Sequence, residues 1–167
     1  MTRILLFLLA ILVLPACSTL PERVAHSPYP QDYWHSYVDW SRGFSVDAPG
    51  QFAIRPATDT AFNPMAPRAY TLDRGTLRFS IMAVEIDSES DPVIVANEAF
   101  DLDSWDYVGG KDPAYQRHVY LDGRMYRQRL VFARGMIYEL LVSGPADVFP
   151  DFAARRFLDS FIVMVKT

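Results

Sequence analysis

A chain of 167 residues with 16 basic and 20 acidic side chains, formal charge −4, has the length of one globular domain. At 50% hydrophobic, 22% charged and 14% aromatic residues it is far from a disordered composition, and its acidic balance argues against a dedicated nucleic-acid binder. The single cysteine, Cys17, excludes an internal disulfide framework.

Arg3 is the one charge before Glu22, and Ile4–Leu14 is an unbroken apolar run. The run is too short for a hydrocarbon core of ~30 Å, which takes about 20 helical residues, and it has the length of the apolar region of a secretory signal peptide. Leu14-Pro15-Ala16-Cys17-Ser18 follows. This pattern resembles a bacterial lipoprotein signal: leucine three before the cysteine, a small residue directly before it, then Cys17. Pro15 stands where a small or β-branched residue is commoner. The resemblance implies cleavage between Ala16 and Cys17, a diacylglyceryl group on the Cys17 sulfur, and acylation of the new amine by a palmitate-type chain. Ser18 implies sorting to the outer membrane, facing the periplasm. Two or more acyl chains hold a protein stably where one does so only marginally. On this reading residues 1–16 are a signal peptide, and losing Arg3 makes the mature chain one unit more negative. A mature chain without a free thiol has no thiol nucleophile, iron–sulfur site or Cys-ligated zinc.

Residues 17–39 read as the lipidated N-terminus and a tether. Pro21, Pro28 and Pro30 favour an extended path at ~3.1 Å per residue. Tyr29, Tyr33, Trp34, Tyr37 and Trp40 crowd together at its end. They could form an aromatic surface for glycan or membrane, but a strap packed onto the domain is the expectation. A single domain is then expected over 40–167.

Gly43–Ala48 alternates apolar with polar and stops at Pro49-Gly50, a turn pair, after which Phe52–Ile54 is expected to return. A loop containing Pro56, Pro64 and Pro67 follows. Three glycine turns then separate strand-like runs. Arg74-Gly75 parts Ala69–Asp73 from Thr76–Ile86, Asp122-Gly123 parts Tyr115–Leu121 from Arg124–Ala133, and Arg134-Gly135 parts that run from Met136–Ser143. The last two share a strand and predict an antiparallel meander. Asp91-Pro92 suits the cap and first turn of a helix over Val93–Leu102, although Val93-Ile94-Val95 is β-branched. Phe149, Phe152, Ala153, Arg156, Phe157, Ser160 and Phe161 recur at helical spacing, with Pro150 in the first turn. Ile162–Val165 reads as a short edge strand. The fold class is α+β: a mostly antiparallel sheet of about six strands covered by a C-terminal helix.

Gly43-Phe44-Ser45-Val46 with Pro49, then Tyr126 and Gly135-Met136-Ile137-Tyr138-Glu139-Leu140, then Phe157-Leu158-Asp159-Ser160-Phe161 together resemble the PsbP-like fold, over about residues 40–165. The resemblance implies assembly and binding roles rather than catalysis, and it carries over no functional residue.

Catalytic constellations are missing from the sequence. His26, His35 and His118 form no pair with metal-ligand spacing, and no nucleophile elbow, zinc-protease or dinucleotide motif occurs. Gly109-Gly110-Lys111 ends in Asp112 and lacks the upstream glycine of a phosphate loop. Asp87-Ser88-Glu89-Ser90-Asp91 spaces its acids like the start of a calcium loop but has Pro92 where the glycine belongs. No catalytic residue, metal or cofactor is therefore expected.

Charge is segregated instead. Glu85, Asp87, Glu89, Asp91, Glu98, Asp101, Asp103 and Asp106 occupy a stretch without Lys or Arg, whereas Arg117, Arg124, Arg127, Arg129 and Arg134 crowd one hairpin. The functional reading is a surface of Arg117, Arg124, Tyr126, Arg127 and Arg129 for an anionic partner in the envelope: a carboxylate-bearing glycan, a phosphate group or an acidic protein patch. The plainer one sets acidic and basic segments against each other or in water, and it is the expectation. Function is thus expected to be a non-enzymatic, membrane-anchored binding or assembly-support module. The alternatives are a hydrolase whose carboxylate pair forms only in three dimensions, and a carrier with an apolar cavity between sheet and helix.

Overall fold

The computed structural model describes residues 33–56, 68–87 and 90–164. Chain order is β1 (His35–Asp39), β2 (Phe44–Ala48), β3 (Ala53–Pro56), β4 (Arg68–Arg74), β5 (Leu77–Glu85), α1 (Pro92–Phe100), β6 (Asp106–Tyr107), β7 (Ala114–Leu121), β8 (Arg124–Ala133), β9 (Met136–Pro145), α2 (Asp151–Asp159) and β10 (Ile162–Val163). A seven-stranded sheet runs β3-β4-β5-β9-β8-β7-β6, and a three-stranded sheet runs β1-β2-β10. Every pair in both is antiparallel.

The hairpins form where glycine allows them. Asp122 and Gly123 both take positive φ, 51° and 74°, and so do Arg134 and Gly135, 55° and 71°, as two-residue I′ turns demand. The first hairpin is shifted by one residue from expectation. Arg74 still pairs with Leu77, so its loop is Gly75-Thr76, with Gly75 at φ 59° in the first loop position. Asp91 caps α1 by accepting the Val93 N–H at 2.8 Å, and Pro92 opens the helix.

Period-two alternation gives the large sheet two unlike faces. One presents Tyr70, Phe79, Ile81, Tyr138, Leu140 and Val142 to Phe44, Val46 and Ala48 of β2 and to Ala153, Ala154, Phe157 and Leu158 of α2. Edge-to-face ring contacts knit this core, Phe44 on Tyr70 at 5.2 Å and Phe79 on Phe157 at 5.3 Å. The opposite face presents Leu130, Phe132 and Ile137 to Ala96 of α1, Leu102 of the 3-10 turn Leu102–Ser104 and Trp105 just after it.

Four expectations change. Sheet structure begins at His35 rather than at residue 40, because Tyr37 on β1 meets the rings of Phe52 and Tyr70 at 5.1 and 6.0 Å and draws residues 35–39 into the core. Trp34 and Tyr37 behave as the expected strap, while Tyr33 and Trp40 face water. Phe52–Ile54 does not return onto β2. β3 pairs with β4 in the large sheet, and β2 is flanked by β1 and β10, so the chain changes sheets at Pro49-Gly50. The mostly antiparallel α+β class holds, but the described residues form ten strands in two sheets rather than about six in one, because β1, β2 and β10 pair among themselves. The phenylalanine stripe is narrower than its spacing suggests: Phe157 is buried but Phe152 faces water. The Pro64–Pro67 loop and Tyr29 lie outside the described residues.

Candidate functional site

On β8, Arg127 and Arg129 point to the α2 side, while Arg124, Tyr126 and Gln128 point to the α1 side with Arg117 of β7, as the register requires. The sheet therefore divides the expected arginine–tyrosine surface in two. The α2-side pair is engaged within the domain. Arg127 forms an ion pair with Asp151 at the start of α2. Arg129 donates to the Leu158 carbonyl at 2.7 Å, to Asp159 at 2.8 Å and to Gln116 at 3.1 Å. Their side chains are 15% and 17% exposed, so they fasten the last helix to the sheet. Arg124 and Tyr126 remain partly open to solvent. His118 is an exposed strand histidine opposite Arg127, held below the usual imidazole range by partial burial and then by that arginine.

The α1-side pair of β8 and β7 builds a different arrangement. Arg117 Nε donates to Gln128 Oε1 at 2.6 Å, and Gln128 Nε2 donates to Glu139 Oε1 at 3.0 Å. The Arg117 guanidinium lies 4.3 Å from the centre of the Trp105 ring, a cation–π stack. Glu139 stands on β9, the middle strand of seven, and is 7% exposed. Burial pushes its carboxyl up to about 7, against the opposing effects of the Gln128 hydrogen bond and the Arg117 charge. Burial also lowers Arg117, with Glu139 acting in the opposite direction.

A second polar knot closes the β1–β2 turn. Asp39 accepts from Ser41 N–H at 2.8 Å, Ser41 Oγ at 2.6 Å, Arg42 N–H at 3.0 Å and Tyr70 Oη at 2.6 Å. Burial pushes the Asp39 carboxyl upward, but these hydrogen bonds outweigh it and hold the group below the ordinary range. Burial first, then Asp39, raises the Tyr70 hydroxyl well above its usual value. Tyr138 Oη donates to the Arg42 carbonyl at 2.6 Å, and burial lifts that phenol to about 12.

Asp39 and Glu139 are the buried acids of the described residues, and they serve opposite faces of the large sheet. They are not the convergent carboxylate pair of the hydrolase alternative. The layer where a carrier would keep a cavity is occupied by rings, with Phe52 and Phe79 against Phe157 at 6.3 and 5.3 Å. The acidic stretch is dispersed: Glu85 sits 3.7 Å from Arg42 and Asp91 caps α1, while the basic hairpin pairs with α2 instead. No group of three or more His, Cys, Asp or Glu among the described residues could hold a metal ion. Gly109 and Gly110 occupy a loop at positive φ. Ala16, Cys17, Ser88 and Glu89 lie outside the described residues.

Sequence reasoning missed Glu139, Gln128 and Trp105 as a set. The signal available was Glu139 alone among apolar residues in Met136–Val142, an acid where a central strand should have none.

No protein-family model matches the chain. No curated protein matches it either. Among solved structures it is similar to the solution structure of cyanobacterial PsbP (CyanoP) from Synechocystis sp. PCC 6803, at 14% identity and TM-score 0.56, covering 87% of this chain and 99% of that one. A crystal structure from Bacteroides thetaiotaomicron VPI-5482 is similar at 14% identity and TM-score 0.51, covering 78% of this chain and about half, 48%, of that one. The fold is PsbP-like.

Proposed function

We propose that this chain is a non-enzymatic module of the bacterial envelope, held to the outer membrane through acylated Cys17, that binds an envelope protein or glycan or supports an assembly. The reading is supported by what the surface leaves open once the charged groups are engaged. Ala146 N–H donates to the Gly123 carbonyl at 3.0 Å, which ties the β7–β8 turn to the 3-10 turn Ala146–Val148. Tyr120 on β7 beside that turn and Val148 at the end of the 3-10 turn are 66% and 60% exposed, and Phe152 at the start of α2 is 59% exposed. Large apolar side chains grouped in water mark contact surfaces more often than chemistry. No helix among the described residues is long and apolar enough to cross a membrane, and the lipid anchor of this reading would supply the attachment.

The test has two arms in intact cells. A clickable fatty acid should label the wild type and not Cys17→Ala; equal labelling would end the lipoprotein reading. A photocrosslinking residue at Tyr120 should capture a discrete partner, identified by mass spectrometry, that one at exposed Arg78 does not. Identical capture from both positions would remove the binding surface.

A further inference from the structure

The segment Pro92–Trp105 comprises α1, the 3-10 turn and Trp105, and its Ala96, Leu102 and Trp105 cover Leu130, Phe132 and Ile137 of the sheet, while β6 just beyond it is the sheet's edge strand. Glu139 lies at the margin of this contact. Leu130 stands directly across from it on β8 and Met82 directly across on β5. From its carboxylate the row runs through Gln128 and Arg117 to the Trp105 ring. Trp105 in turn donates its indole N–H to the Phe100 carbonyl at the end of α1, at 3.0 Å. A titratable group in the middle strand is thereby connected, contact by contact, to the element lying over the sheet.

We propose that Pro92–Trp105 is a proton-held lid, which stays seated while the Glu139 carboxyl is protonated and lifts from the sheet when that carboxyl ionises. The proposal does not depend on the membrane anchor. Under a seated lid an ionised Glu139 is cut off from water, with one neutral amide donor beside it. Arg117 of β7 reaches it only through Gln128. β8 contributes that neutral Gln128, and β5 contributes Met82. Farther along the same face of β5, Arg78 is already engaged with Asp73 at 2.7 Å. The charged side chains of the lid itself, Glu98, Asp101 and Asp103, are acidic and exposed, so the lid supplies no cation to Glu139. The carboxyl binds its proton more tightly under the lid than in water, so linkage seats the lid at low pH and releases it as pH rises through about 7. Release would bare Leu130, Phe132 and Ile137, an apolar strip on the sheet.

The experiment is amide hydrogen exchange by NMR on the full chain at pH 6 and pH 8, corrected for the intrinsic pH dependence of exchange. The reporters are the N–H groups of Val95, Asp101 and Trp105, which donate to Asp91, Asn97 and Leu102. Their protection is expected to fall roughly tenfold or more relative to the β8–β9 ladder, and Glu139→Gln is expected to abolish the difference. Unchanged lid protection in the wild type, or the same fall in Glu139→Gln, overturns the proposal. Should the variant not fold, carbon-13 titration of Glu139 in the wild type decides: a midpoint near 7 that coincides with the change in lid exchange supports it, and an ordinary carboxylate midpoint overturns it.

Discussion

On the side carrying β2 and α2, the seven-stranded sheet presents Tyr70, Phe79, Ile81, Tyr138 and Leu140; on the side carrying α1 it presents Met82, Gln128, Leu130, Ile137 and Glu139. The strands are shared, so the contrast comes from alternation alone. The first face is closed by rings and aliphatic side chains, and its tyrosine hydroxyls reach Asp39 and a backbone carbonyl at the periphery. The second face mixes a small apolar cluster with an amide, a carboxyl and a guanidinium in a row. Apolar packing is indifferent to pH, whereas a buried carboxyl is not. One sheet therefore has apolar packing and a carboxyl held low, Asp39, on one side, and a carboxyl held high, Glu139, on the other.

The largest effect tests the first face. Phe157→Ala removes a fully buried ring against Phe79 and is expected to cost about 3–5 kcal/mol in urea unfolding, against about 2–3 kcal/mol for Leu130→Ala under the lid. A larger loss at Leu130 would invert the comparison. Tyr70→Phe withdraws the phenol from Asp39 and is expected to cost about 2 kcal/mol, read the same way. Asp39 adds a pH arm to that knot. Its folded value lies below the unfolded one, so its stabilisation is present above the unfolded value and fades as pH falls through the folded one; Asp39→Asn should lose this acid-side fade.

The second face shows the opposite sign. Glu139 is raised from 4.5 to about 7, so its contribution is complete below 4.5 and lost as pH rises toward 7. Glu139→Gln is expected to be the more stable protein at pH 8, by about 1–2 kcal/mol, and to match the wild type near pH 5 when thermal unfolding is followed across pH. Wild-type stability that rises between pH 5 and 8, with no gain in the variant, would leave the two faces alike. The smallest effect separates buried from exposed charge. Arg155→Ala breaks an exposed i,i+4 pair with Asp151 and should change unfolding by less than about 0.5 kcal/mol, while Arg127→Ala, at a side chain largely enclosed beneath α2, should cost about 1–2 kcal/mol.

Local features were legible in the sequence because local chemistry creates them. Asp122-Gly123 and Arg134-Gly135 force their turns, Asp91-Pro92 caps a helix, and the two hairpins give the β7-β8-β9 meander. Pairing between distant segments was not legible. Nothing in Gly43–Ala48 says that β2 will take β1 on one edge and β10 on the other, since any strand with that alternation could pair with its neighbour Phe52–Ile54. Phe152 failed for a related reason: 3.6-residue spacing names a stripe but not its width, which α2 sets by burying Ala153 and Ala154 beside Phe157 and Leu158. The arginines were visible as a charge cluster, and the shared strand face of Arg127 and Arg129 follows from alternation, but that helix α2 claims both does not. Glu139 stands in an apolar run that does not reveal its environment. Gln128 and Arg117, which make that position tolerable, are distant in sequence and meet it only through the register.

The small sheet also has a mechanical meaning. β1 begins opposite Ala48, and β10 ends opposite Phe44, at the other end of the same strand β2. A pull applied upstream of His35 and resisted beyond Met164 therefore runs along the strands in opposite directions on either side of β2. Such a load shears the β1–β2 and β2–β10 hydrogen bonds together instead of peeling them one at a time, and Phe44 and Val46 of β2, buried in the main core, share it with the rest of the domain. A strand that looks like a minor accessory to a larger sheet is thereby the element through which force from either direction enters the fold.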